Sequence, residues 1–266
     1  MRQEYVKKLF CLDGRKAIVT GGNSGIGKGI AAALASLGAD VAFVGRHEPT
    51  IAQTEKELVA LGSKAKGYKV DVGAKDEVDR FFDAYYAENG KKLDILVANA
   101  SVQYDKRMLD ATEFELEQMY HINLKGLLFF AQRAAEAMKE QMGGNIVVVT
   151  SLNALRPNPP QALYSGSKAA QEALMRCLAS DLGEYNIRVN SLAPGAVMTN
   201  IGLNDRDRHA QERAAPGEPA GRNPAIPLGR LGTPEDMGAA VACIVSDAFS
   251  YMTGATVLVD GGLALR

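Results

Sequence analysis

The chain has 266 residues, 47% hydrophobic and 23% charged, enough apolar material for one large core. Thirty Lys and Arg stand against 31 Asp and Glu, a net charge of −1 that argues against electrostatic capture of nucleic acid or an anionic membrane. Three scattered cysteines and three histidines show no disulfide or metal-ligand spacing, so no metal site is expected. The opening MRQEYVKKLF lacks the apolar centre of a signal peptide, and no apolar stretch is long enough to span a bilayer. The expectation is a soluble cytoplasmic protein.

In chain order, short β-branched runs alternate with helical patterns. Strands are expected at 16–20 (KAIVT), 40–45 (DVAFVG), 65–72 (AKGYKVDV), 93–100 (LDILVANA), 144–151 (GNIVVVTS), 187–194 (IRVNSLAP) and 256–261 (TVLVDG). Helices are expected at 25–38, 49–62 and 75–90, through a long region between 100 and 144, at about 161–185, and at 234–247. Apolar runs of this kind fit strands covered on both faces, and their alternation with helices argues for a parallel sheet with right-handed crossovers. Residues 199–227 break the pattern, being polar and rich in Gly and Pro. They are read as a mobile lid on a single domain spanning 1–266.

Three motifs carry chemistry. TGGNSGIG at 20–27 lies between the first strand and the first helix. There the chain must turn sharply and approach a pyrophosphate, and the helix N-terminus offers unpaired N–H groups to the anion. Asp71, in VDV at the end of the third strand, either accepts from an adenine amino group or caps the next helix. Tyr164 and Lys168, in ALYSGSK, stand four residues apart on one helix face. That spacing alone fits an amphipathic surface pair as well as a proton-transfer device.

Taken together, the motifs resemble the short-chain dehydrogenase/reductase family in its common single-domain form. T-G-x-x-x-G-x-G matches at 20–27, Y-x-x-x-K at Tyr164 and Lys168, and P-G-x-V-x-T at 194–199. The family's helix asparagine matches Asn123, and its serine matches Ser151. The family's N-N-A-G is altered to ANAS at 98–101, which keeps Asn99 and Ala100. The resemblance implies a Rossmann-type, doubly wound, seven-stranded parallel sheet with helices on both faces. It implies a nicotinamide cofactor held by Gly21, Asn23, Ser24, Gly25, Ile26, Gly27, Arg46, Asp71, Val72, Asn99, Ala100, Tyr164, Lys168, Pro194, Gly195, Val197 and Thr199.

The implied catalytic set is Asn123, Ser151, Tyr164 and Lys168. Tyr164 exchanges a proton with the substrate oxygen, Ser151 holds that oxygen, and Lys168 lowers the phenol's pKa and binds the nicotinamide ribose. In relatives, Asn123 positions a water that links the lysine to solvent.

At the end of the second strand, Gly45 has no side chain to repel a ribose 2′-phosphate. Arg46 stands where NADP-dependent relatives carry a basic residue, with His47 and Ser24 nearby, so NADP(H) is favoured over NAD(H). The expected function is a ketone–alcohol oxidoreductase acting on a polar carbonyl, sugar-acid or polyol-type small molecule. The alternatives are a reductase of a bulkier 3-oxoacyl or steroid ketone, and a non-catalytic dinucleotide-binding regulator. The substrate pocket is expected from 103–107, 152–160 and the lid. The apolar C-terminus and the family habit together suggest a homotetramer.

Overall fold

The computed structural model describes residues 2–199 and 223–266. Seven parallel strands form one sheet: β1 (Lys16–Thr20), β2 (Asp40–Gly45), β3 (Ala65–Lys69), β4 (Ile95–Ala98), β5 (Gly144–Val149), β6 (Ile187–Pro194) and β7 (Thr256–Val259). Their order is β3-β2-β1-β4-β5-β6-β7. The order reverses beside β1, so the crevice between the C-terminal ends of β1 and β4 is the natural ligand position.

Helices cover both faces. α2 (Gly25–Ser36), α3 (Glu48–Ala60) and α8 (Pro234–Val245) lie on one, and α4 (Lys75–Asn89), α6 (Gly126–Glu140) and α7 (Ala162–Leu182) on the other. α1 (Arg2–Phe10) precedes the sheet, and α5 (Glu113–Met119) runs into α6 through a π-helical turn, Tyr120–Lys125. Adjacent strand residues feed opposite cores. Ile18 and Leu96 pack with Phe82 and Phe130 on one side, while Val19 and Val97 pack with Ile30, Leu34 and Val241 on the other. That double burial is why the strands read as unbroken apolar runs.

Several boundaries differ from expectation. β3 stops at Lys69 because the Asp71 carboxylate turns back to accept from Gly73 N–H at 2.9 Å, starting the turn into α4. β4 and β7 are shorter than their apolar runs. The helix α1 was not foreseen. Of the expected lid, residues 200–222 lie outside the described residues.

Candidate active site

The loop from β1 to α2 is shaped by sterics. Gly21 sits at φ +64°, and a Cβ at Gly27 would stand 2.2 Å from the Gly21 carbonyl oxygen, so the loop closes tightly on the helix start. Ser24 precedes α2 but makes no side-chain capping bond, and the first turn of α2 holds no acid. The N–H groups at this helix start are therefore neither capped by a side chain nor opposed by a negative charge, the condition a pyrophosphate needs.

The β4 loop braces that cradle. Thr20 Oγ1 accepts from both Asn99 N–H and Ala100 N–H at 2.9 Å, and Asn99 Nδ2 donates to the Thr20 carbonyl at 2.9 Å. Asn99 thus fastens the β1 and β4 loops together. Ser101, where the resemblance expects glycine, donates to Asn123 Oδ1 at 3.1 Å and adds a tie to the π turn.

A cavity of about 260 Å³ opens between the ends of β1 and β2. It is lined by Gly21, Asn23, Ser24, Gly45, Arg46, His47, Val70 and Val72, among others. This wall suits an adenosine. Arg46 is exposed at its rim. Asn23 does more than line it: its Nδ2 donates to Thr50 Oγ1 at 2.7 Å, and its Oδ1 lies 2.2 Å from where a Cβ on Gly45 would stand. Asp71, expected to meet adenine, is engaged by Gly73 N–H and lies 3.2 Å from His121 Nε2. At that point Val70 and Val72 form the cavity wall.

A second cavity, about 290 Å³, is lined by Ile26, Ser151, Tyr164, Pro194, Gly195, Val197 and Thr199, with Gln103, Asn153, Asn158 and Gln161 on the far side. Here the catalytic candidates meet. Ser151 accepts from Asn153 N–H at 3.1 Å and stands beside Tyr164 in the same cavity, where its hydroxyl favours the phenolate. Burial outweighs that and pushes the Tyr164 phenol up to about 12. Lys168 is fully buried, and its Nζ stands 5.6 Å from the centroid of the Tyr164 ring. Loss of solvation pulls its ammonium down to about 7.

Asn123 sits in the π turn with both ends of its amide used. Oδ1 accepts from Val102 N–H, and Nδ2 donates to the Val102 carbonyl and to Ser167 Oγ. Its backbone carbonyl accepts from Gln171 Nε2, and Gln171 Oε1 accepts from Lys168 Nζ. The structure therefore joins Asn123 to Lys168 through a protein side chain. The sequence reading missed Gln171. Its signal was a polar residue on the face of α7 that also carries Tyr164, Lys168 and Met175.

A further cavity, about 570 Å³, lies at the opposite edge of the sheet. Its Arg15 pairs with Asp94 and Asp247, and its Arg188 is spent on backbone carbonyls. The candidate catalytic and cofactor-binding residues gather instead at the C-terminal edge.

The chain resembles known proteins over nearly its whole length. A family signature described as Enoyl-(Acyl carrier protein) reductase matches residues 21–264. The chain is 38% identical over 254 residues to the L-rhamnose 1-dehydrogenase (NAD(P)(+)) of Sphingomonas sp. (strain SKA58), covering 95% of this chain and 97% of that one. It is 35% identical over 258 residues to the 3-oxoacyl-[acyl-carrier-protein] reductase FabG of Chlamydia pneumoniae, covering 95% and 98%. The crystal structure of a short-chain type dehydrogenase/reductase from Mycobacterium marinum superposes with a TM-score of 0.89 at 36% identity, covering 98% of this chain and all of that one. With a crevice at the sheet's switch point, Ser151, Tyr164 and Lys168 gathered beside it, and these relatives matching nearly the whole chain, the protein belongs to the short-chain dehydrogenase/reductase family of nicotinamide-dependent oxidoreductases.

Proposed function

We propose that this protein interconverts a ketone and a secondary alcohol on a polar, polyhydroxylated small molecule, using NADP(H) in preference to NAD(H). The meeting of Ser151 and Tyr164 in one cavity, with Lys168 behind them, carries the reading. The nicotinamide supplies or accepts the hydride when bound. The glycine loop and the start of α2 would hold its pyrophosphate, and Arg46 its 2′-phosphate. Ser151 orients the substrate oxygen, Tyr164 exchanges the proton with it, and Lys168 draws the phenol toward phenolate.

The polar substrate is favoured by the far wall of the catalytic cavity. Gln103 Nε2 and Gln161 Nε2 both donate to Asp105 Oδ1 at 2.8 Å, and Asn153 Nδ2 donates to Gln161 Oε1. A wall of amides, braced from behind by the Asp105 carboxylate, suits several hydroxyl groups better than an acyl chain or a steroid. The similar L-rhamnose dehydrogenase leans the same way. FabG of C. pneumoniae keeps a 3-oxoacyl substrate as the second reading.

A homotetramer is proposed from apolar side chains left exposed on packed helices: Phe114 and Leu116 on α5, Leu128 on α6 and Leu174 on α7. Leu258 is similarly exposed on the edge strand β7.

The test is a panel of aldoses, polyols, sugar acids, 3-oxoacyl thioesters and steroid ketones, assayed with both dinucleotides by nicotinamide absorbance. Turnover of a sugar or polyol with NADP(H) is expected. Turnover confined to thioesters or steroids would reject the polar substrate, and no turnover by a dinucleotide-binding protein would favour a regulator.

A further inference from the structure

Gln171 follows Lys168 by three residues on α7. It is 2% exposed, Lys168 1% and Asn123 0%. Its amide is engaged at both ends: Oε1 accepts from Lys168 Nζ at 2.9 Å, and Nε2 donates to the Asn123 carbonyl at 2.6 Å. The partners fix which end is which, because a carbonyl only accepts and an ammonium only donates. The π turn widens the helical ladder at Asn123, as such turns do at many functional sites. The other protein partner of Nζ is the Val149 carbonyl at 2.9 Å. Two of the three ammonium donors are thereby committed and one remains.

We propose that Gln171 is a positioning residue for catalysis: it fixes the Lys168 amine behind Tyr164 and favours its charged form, with the Asn123 carbonyl holding the amide in place. The surroundings leave this task to neutral groups. Among the described residues, no carboxylate lies within ion-pair distance of Nζ. On α7 itself the nearest acid is Glu172, whose carboxylate is taken by Thr150, Ser191 and Thr256. On the π turn, His121 is turned to Asp71, and Lys125 is exposed. From β5 comes the Val149 carbonyl, and on β6 the Ser191 hydroxyl is donated to Glu172. Asp105 acts on Tyr164 and disfavours its phenolate. In this setting burial already draws the ammonium down to about 7, so one neutral acceptor has leverage over its charge at working pH.

The proposal rests on the oxidoreductase reading, so its test has one arm that needs no turnover. Gln171→Met keeps the side chain's length and removes both bonds, while Gln171→Glu offers Nζ an anion. The Lys168 ε-carbon is followed by ¹³C NMR across pH, assigned by its absence in Lys168→Met. The titration midpoint is expected to fall by about half a pH unit or more in Gln171→Met and to rise in Gln171→Glu. In alcohol oxidation, Gln171→Met is expected to lose about ten-fold or more in kcat, the scale of one hydrogen bond to a charged group. Its acid limb should move to higher pH, because a less charged amine draws the phenol less. KM for the alcohol should change little.

Unmoved midpoints and an unmoved limb, with only a lower Tm, would reduce Gln171 to packing and overturn the proposal. If Gln171→Met does not fold, the Gln171→Glu titration decides alone. If the midpoints move but the wild-type protein oxidises no alcohol, the functional reading and the catalytic part of this proposal fall together, while unmoved midpoints in an active enzyme reject this proposal only.

Discussion

The Lys168 amine and the Tyr164 ring share one face of α7, with Nζ 5.6 Å from the ring centroid. A tyrosine beside a buried cation can both give and take a proton, which neither a surface tyrosine nor a packing tyrosine needs. Tyr164→Phe removes the hydroxyl and keeps the ring. We expect kcat to fall at least ~10²-fold, the lower range for general acid–base catalysis, with dinucleotide binding nearly intact by fluorescence titration. A variant that keeps most of its activity would remove Tyr164 from the chemistry.

Lys168 also leaves a mark on stability. Its folded-state pKa is lowered from 10.5 to about 7, with burial as the cause. Between those values the unfolded chain holds a proton that the folded chain does not, so stability rises with pH across that window. Below about pH 7 the cost of the buried charge is complete; above 10.5 it is gone. Lys168→Met abolishes this titration. In urea unfolding, the stability of wild type minus that of Lys168→Met should therefore grow between pH 7 and 10, by an amount on the order of a few kcal/mol. A constant difference would show that the amine is not desolvated as described.

Glu172, the next residue after Gln171, makes a different kind of contact. Its carboxylate accepts from Thr150 Oγ1 at 2.6 Å, Ser191 Oγ at 2.8 Å and Thr256 Oγ1 at 2.7 Å, joining α7 to β6, β7 and the residue that follows β5. Glu172→Leu leaves buried hydroxyls without their acceptor and should cost at least about 2 kcal/mol in urea unfolding. Glu172→Gln keeps one accepting oxygen and should cost less. Equal costs would mean that side-chain volume, not the hydroxyl contacts, sets the stability of this corner.

The sequence made the sheet and the cradle legible because their causes are local. A strand buried on both faces must be apolar throughout, and a loop folded against its own helix leaves no room for a Cβ at Gly27. Tyr164 and Lys168 were legible through helical spacing. Gln171 was not, because a glutamine on a helix reads as solvated until the neighbouring π turn turns a carbonyl toward it. Of the amide wall, Gln103, Asn153 and Asn158 fall in the segments expected to build the pocket, but Gln161 and its tie to Asp105 did not, because Gln161 lies more than fifty residues from Asp105 and meets it only after β4 and β5 pair. Asp71 shows the converse. Its place at a strand end suggested either an adenine contact or a helix cap, and what the sequence did not show is that the carboxylate also closes a local turn two residues on, by accepting from Gly73 N–H.

Asn23 and Gly45 bring the cofactor prediction to a finer point. An arginine at the end of β2 can bond a ribose 2′-phosphate in bidentate fashion, whereas an acid at the preceding position would bond the free ribose hydroxyls and repel the phosphate. Arg46 lines the adenosine-side cavity next to Gly45. A hydrogen bond to a charged group is worth roughly 1.5–3 kcal/mol, so Arg46→Ala should raise KM for NADPH about 10- to 150-fold and barely change KM for NADH. Gly45→Asp would be expected to move preference toward NADH, but its Cβ would meet Asn23 Oδ1 at 2.2 Å, and Asn23 is anchored to Thr50. We therefore expect Gly45→Asp alone to weaken both dinucleotides, and Gly45→Asp combined with Asn23→Gly to bring NADH ahead. Steady-state kinetics with the two reduced cofactors checks each step. A wild-type protein with higher kcat/KM for NADH than for NADPH would show that Arg46 does not read the phosphate.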